Sequence, residues 1–258
     1  AMRVARGWAS IAGARLDVLT KSPGGRDVPV LFFGQPDASG REMIVAVARQ
    51  HAGETPGSFT LEGFVEEFIA GGECGRWLRE RGLLVVLPVM DPDGAAEGSY
   101  GKNQMPVDIN RDWAGQSHWP QVAAARQLIA DLAARHRYMF FIDFHAPCAH
   151  NFVYAYLAPD GKLPAELARW QERFVELLAE RPCRWFDFYP QDCQKGEGQD
   201  GVSAIAQPLE HGCASITMET TYNKTRDGRI GSPLRYRQHG QATAVATVRL
   251  INEMAGRS

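Results

Sequence analysis

Met43-Ile44-Val45-Ala46-Val47-Ala48-Arg49-Gln50-His51-Ala52-Gly53-Glu54-Thr55-Pro56-Gly57 decides the reading of this chain. A short, unbroken apolar run is the mark of a strand buried on both faces, as in a parallel sheet. The run ends in a turn that carries His51 and Glu54, held by Gly53, Pro56 and Gly57. Two more apolar runs end the same way. Tyr138–Phe144 leads into His145, and Ala214–Met218 leads into Glu219. In an open parallel sheet, ligands bind beyond the carboxyl ends of the strands. His51, Glu54, His145 and Glu219 are therefore expected on one sheet edge. Two histidines and one carboxylate with a fourth position open make the ligand set of a catalytic zinc site. A further glutamate beside them can take a proton from water at the ion.

Outward from that stretch, short apolar runs alternate with amphipathic ones. Strands are expected at 28–33, 43–49, 83–89, 138–144, 152–157, 184–188 and 214–218. Helices are expected at 57–70, 74–81, 120–136, 164–181, 202–211 and 238–255. The alternation predicts one α/β domain over 1–258, with a mixed, largely parallel central sheet flanked by helices. Residues 1–27, broken by Gly-Gly and Ser-Pro, read as a short N-terminal strand and turn.

Composition excludes more than it selects. The net charge of −2 gives no electrostatic case for nucleic acid or an anionic membrane. No apolar run approaches the ~20 residues of a membrane span, and Met2–Arg6 lacks a secretory apolar core. Five cysteines without a C-x-x-C pair give neither a disulfide framework nor a cysteine zinc knuckle, so a reducing cytoplasm is expected.

Asp143, two residues before His145, shares its face of the strand and is placed to orient an imidazole; a structural His–Asp pair is the alternative. His150 reads as a rim residue. Asn110-Arg111-Asp112-Trp113 offers an arginine fork for a substrate carboxylate, or a surface ion pair. Asp91-Pro92-Asp93-Gly94 reads as a turn or as support for the site.

Five strings resemble, in order, the zinc metallocarboxypeptidases, and most closely their cytosolic carboxypeptidase-like branch. They are His51-Ala-Gly-Glu54-Thr-Pro, Pro88-Val-Met-Asp-Pro-Asp-Gly94, Asp108-Ile-Asn-Arg111-Asp-Trp113, Asp143-Phe-His145 and Thr217-Met-Glu219. The resemblance implies a phosphorylase/hydrolase-like carboxypeptidase fold and one zinc on His51, Glu54 and His145. It implies Glu219 as base and then proton donor, with Asn110 and Arg111 gripping the terminal carboxylate of a peptide. The family's arginine for the scissile carbonyl aligns with Gly101, which leaves the adjacent Lys102 to supply that charge. The substrate-capping tyrosine has its nearest counterpart in Tyr189. Three rival readings stand beside this one. A related zinc deacylase would take N-acyl amino acids. A silent zinc- or peptide-binding protein would keep the ion without turnover. Gly196-Glu-Gly198-Gln-Asp-Gly201 matches the G-x-G-x-x-G of dinucleotide sites, though that fingerprint needs a strand running into its first glycine.

Overall fold

The computed structural model describes residues 2–12, 14–146, 150, 152–181, 188–226 and 228–257. Eight strands form one mixed sheet: β1 (Arg15–Lys21), β2 (Asp27–Gly34), β3 (Glu42–Ala48), β4 (Gly82–Leu87), β5 (Arg137–His145), β6 (Tyr154–Leu157), β7 (Gln194–Lys195) and β8 (Ala214–Glu219). Their order across the sheet is β1-β2-β4-β3-β5-β8-β6-β7. The centre, β4-β3-β5-β8, is parallel. β2 joins it antiparallel on one side and β6 on the other. The sheet is mixed, as the sequence predicts.

Every residue of β3, β4 and β8 is buried, which is why these strands read as continuous apolar runs rather than alternating ones. The pleat still sorts their side chains. Ile44, Ala46 and Ala48 face one hydrophobic layer, with Phe64, Phe68, Trp77 and Phe174. Met43, Val45 and Val47 face the other, with Trp113, Val122 and Ile129. The first layer is built by α1 (Met2–Ala12), α2 (Thr55–Ala70), α3 (Gly72–Glu80), α6 (Ala165–Ala179) and α8 (Pro233–Met254). The second is built largely by α5 (Pro120–Ala133) and the start of α7 (Ser203–His211).

Two expectations change, and a third falls mostly outside the described residues. Residues 2–12 form helix α1, not strand or turn, and β1 begins only at Arg15. Ala5 and Trp8, three apart on that helix, are buried against the first layer. Asp91-Pro92-Asp93-Gly94 opens a short helix, α4 (Pro92–Glu97): the Asp91 carboxylate accepts from the Gly94 N–H as its N-cap. The expected strand at 184–188 lies outside the described residues except Phe188, which bridges Val153. Among the described residues no helix is long and apolar enough to cross a membrane.

His239, buried on α8, is expected to set an acid limit on the fold. Burial pushes its imidazole down to about 4 from an ordinary value near 6.5. The folded chain stays neutral there while the unfolded chain gains a proton. This contribution to stability is complete above pH ~6.5 and is lost as pH falls through about 4, a change of roughly 3 kcal/mol. Urea midpoints from pH 7.5 to 4.5 are expected to fall less steeply in His239→Leu than in wild type. Parallel curves for the two would show that His239 does not set the acid limit.

Candidate active site

The parallel centre of the sheet puts the predicted residues together by register. His145 ends β5 directly opposite Glu219, which ends β8. Ala48, three residues before His51, lies opposite Phe144. The chain then turns back: the Glu54 N–H donates to the His51 carbonyl at 3.2 Å. Pro56 sits in the first turn of α2, where its missing N–H costs nothing.

His51, Glu54 and His145 converge, with their candidate ligand atoms all within 4.8 Å of one another. His51 Nδ1 is 3.0 Å from Glu54 Oε1, His145 Nδ1 is 2.7 Å from Glu54 Oε2, and the two Nδ1 atoms are 3.1 Å apart. The opposite ring nitrogens decide what these three atoms can hold. His51 Nε2 lies 3.1 Å from the Asp108 carboxylate, and His145 Nε2 lies 2.8 Å from Asp143 Oδ2. Each carboxylate favours a proton on Nε2 and so turns a bare Nδ1 lone pair inward. Two lone pairs and a carboxylate then meet with no proton between them, an arrangement that calls for a cation. Two nitrogens bound tetrahedrally to one zinc stand roughly 3.3 Å apart, close to the spacing found. The residues fit the ion. Burial lowers the affinity of both rings for a proton, but Asp108 and Glu54 around His51, and Asp143 and Glu54 around His145, raise both above the ordinary value. Burial raises Glu54, yet the two histidines hold it well below the usual carboxylate range.

Glu219 behaves in the opposite way. Burial pushes its carboxyl up to about 8 and the negative Glu54 adds to this, against His145, Lys102 and His51. Its Oε2 is buried without a hydrogen-bond donor among the described residues. It lines a cavity of about 330 Å³ together with His51, His145, Lys102, Asn110 and Arg111.

Lys102 Nζ is 3.3 Å from Glu54 Oε1. Burial alone would lower its pKa, but Glu54, Glu219 and Asp108 raise it, so it stays cationic. Gly101, next to it, has no room for a side chain. It has φ +99°, and a Cβ there would lie 2.4 Å from the Ala52 nitrogen. No arginine fits that backbone without moving the turn that carries His51.

Asn110 and Arg111 share a 3-10 turn, capped by the Asp108 carboxylate at the Asn110 N–H. Asn110 faces inward as well as toward the cavity. Its Oδ1 accepts from Ser203 Oγ at 2.8 Å and Gln50 Nε2 at 3.1 Å, and its Nδ2 is 3.4 Å from His145 Nε2. Arg111 Nη1 pairs with Asp108, and its Nε donates to Gln199 Oε1 at 3.0 Å.

Tyr189 is placed off the cavity lining. Arg226 lies over its ring at 5.6 Å, and the tyrosine in the cavity wall is Tyr156. His150 packs on Phe152 and against Gln194, outside the three-residue cluster.

Sequence reasoning missed three supports. Asp108 holds His51, and Gln50 and Ser203 both donate to Asp143. The Trp113 indole N–H fixes Gln50 in turn, at 2.7 Å from its Oε1. Asp108 had a signal, since it stands two residues before Asn110 in the quoted string. Ser203 had none, because only the docking of α7 brings it there.

The fold brings together a His-Glu-His cluster that could hold a metal ion, and comparison with known proteins gives the class. Residues 12–145, more than half of the chain, match the zinc carboxypeptidase model of the peptidase M14 family, and the chain belongs to that family. It is 27% identical over 219 residues to cytosolic carboxypeptidase 2 of Danio rerio, a match covering 82% of this chain and 30% of that protein. It is 31% identical over 165 residues to cytosolic carboxypeptidase 6 of Mus musculus, covering 60% of this chain and 30% of that one. The chain thus spans about a third of the length of these relatives. A metallo-carboxypeptidase from Pseudomonas aeruginosa, solved with (2-guanidinoethylmercapto)succinic acid, superposes with a TM-score of 0.79 at 25% identity, covering 98% of this chain and 68% of that one. One from Burkholderia cenocepacia gives a TM-score of 0.81 at 21% identity, covering 96% and 67%.

Proposed function

We propose that this chain is a zinc-dependent carboxypeptidase-type hydrolase that removes a C-terminal residue from a peptide with a free carboxylate. The observation that carries the reading is the convergence of His51, Glu54 and His145 beside Glu219, whose Oε2 has no hydrogen-bond donor among the described residues, at one end of the sheet. His51, Glu54 and His145 would hold the ion, with Asp108 and Asp143 fixing the ring tautomers. When bound, zinc supplies a Lewis acid for the scissile carbonyl and for water.

The chain's own residues do the rest. Arg111 binds the terminal carboxylate by its guanidinium fork, and Asn110 holds the turn that presents it. Glu219 takes a proton from the attacking water and delivers it to the leaving amine. Lys102 turns from Glu54 to the carbonyl oxygen as negative charge develops on it. Lys102→Met is expected to lower kcat/KM by about a hundredfold, the usual cost of one oxyanion donor, with Lys102→Arg recovering part of it. Steady-state kinetics within threefold of wild type for Lys102→Met would remove Lys102 from the chemistry.

Elemental analysis of protein purified without chelator is expected to give about one zinc per chain. An N-acyl dipeptide should be cleaved far faster than its C-terminal carboxamide. Cleavage of simple N-acyl amino acids in place of dipeptides would favour a deacylase. Bound zinc with neither activity would favour a binding protein.

A further inference from the structure

The Gly196–Gly201 string lies in the wall of the cavity, and a dinucleotide role does not account for it. It follows a two-residue edge strand, β7, and three of its residues, Gly196, Glu197 and Gly198, line the cavity. The loop grips the Arg111 segment at three points. The Trp113 N–H donates to the Gly201 carbonyl at 3.0 Å. A Cβ on Gly201 would lie 2.1 Å from the Arg111 carbonyl oxygen, so only glycine permits this approach. Gln199 Oε1 accepts from Arg111 Nε at 3.0 Å, while Gln199 Nε2 donates to Glu197 Oε2 at 2.9 Å. That second bond settles which way the Gln199 amide points: oxygen toward the arginine.

We propose that Gln199 is a positioning residue for the substrate's terminal carboxylate, acting through Arg111. The inference rests on the carboxypeptidase reading above. Arg111 is 41% exposed on its side chain, and a free arginine there samples many rotamers. Asp108 holds Nη1 and Gln199 holds Nε, so the plane of the guanidinium is set before substrate arrives. The Nη1/Nη2 end keeps N–H groups for a bidentate grip. Fixing the fork in advance removes an ordering cost from binding. The effect therefore falls on KM and not on the chemical step.

The test uses the zinc-loaded chain of residues 1–258, an N-acyl dipeptide with a free carboxylate and its carboxamide twin as a weak substrate at high enzyme concentration. Gln199 is exposed, so Gln199→Leu is expected to fold normally. It should raise KM for the acid about fivefold, with kcat within twofold, and leave the rate on the amide unchanged. In an Arg111→Ala background the same substitution should add nothing, because the residue it acts through is gone. An unchanged KM in Gln199→Leu, beside a raised KM in Arg111→Ala, overturns the role of Gln199 and leaves the carboxypeptidase reading standing. An equal rise on acid and amide also overturns it, since a carboxylate-independent effect would be structural. Failure of wild type to hydrolyse the acid removes the reading and this inference together.

Discussion

Glu219→Gln is expected to lower kcat/KM by about a thousandfold while leaving about one zinc per chain. The substitution keeps shape and burial but removes the atom that can carry a proton. A positioned general acid–base group contributes roughly 10²–10⁴ in rate, and Glu219 is assigned both halves of the transfer. Stability should move the other way. With its folded value raised to about 8, the stability linked to Glu219 is complete below its unfolded value near 4.3. It is lost as pH rises through about 8, because the unfolded chain sheds a proton that the folded chain keeps. Metal-free Glu219→Gln is therefore expected to be at least as stable as metal-free wild type at neutral pH. Turnover within tenfold of wild type in Glu219→Gln would end its assignment as proton carrier. A loss of zinc would recast it as a ligand.

That trade, a buried group held against its preference at the reactive centre, is also why the site was legible. Strands buried on both faces leave little tolerance for charge, so an acid or histidine at their carboxyl ends stands out against Ile44–Ala48, Phe140–Phe144 and Ala214–Met218. β3, β5 and β8 then carry those ends to one edge by register alone. What could not be read depends on contacts distant in sequence. The antiparallel direction of β2 is set by pairing with β4 across a gap of some fifty residues. Ser203 and Gln199 reach the site only because α7 and the loop before it fold back over the Asn110–Arg111 turn. α1 was missed because Ala5 and Trp8, the buried pair among its described side chains, give too little pattern to announce a helix before the sheet exists to receive it. The Ser-Pro and Gly-Gly breaks at 22–25 instead suggested a turn. Gly196–Gly201 matched a dinucleotide fingerprint without the context that fingerprint needs, and reads better as a glycine-rich loop beside the site. Glycine repeats report that backbone approaches something closely, and what it approaches here is the carbonyl of Arg111.

His145→Ala is expected to take the zinc content from about one per chain to none, and hydrolysis with it. Three ligands leave no redundancy. Without His145, one imidazole and one carboxylate remain, and Glu54 Oε2 loses the nitrogen 2.7 Å away. The carboxylate of Asp143, fully buried, loses its imidazole partner too, so His145→Ala also risks destabilising the chain. Glu54→Gln separates the two effects. It preserves volume and still accepts hydrogen bonds, but it removes the only anionic ligand, so zinc should be lost from a folded protein with unchanged far-UV circular dichroism. Asp108→Asn supplies the graded comparison. It leaves all three ligands and disturbs only the partner of His51 Nε2, for which a 10–100-fold weakening of metal affinity is the ordinary cost. A series running from wild type through Asp108→Asn to Glu54→Gln and His145→Ala, in falling zinc content, is what this geometry requires. Full zinc occupancy in folded Glu54→Gln and His145→Ala would place the ion elsewhere and detach Glu219 from any metal-assisted role.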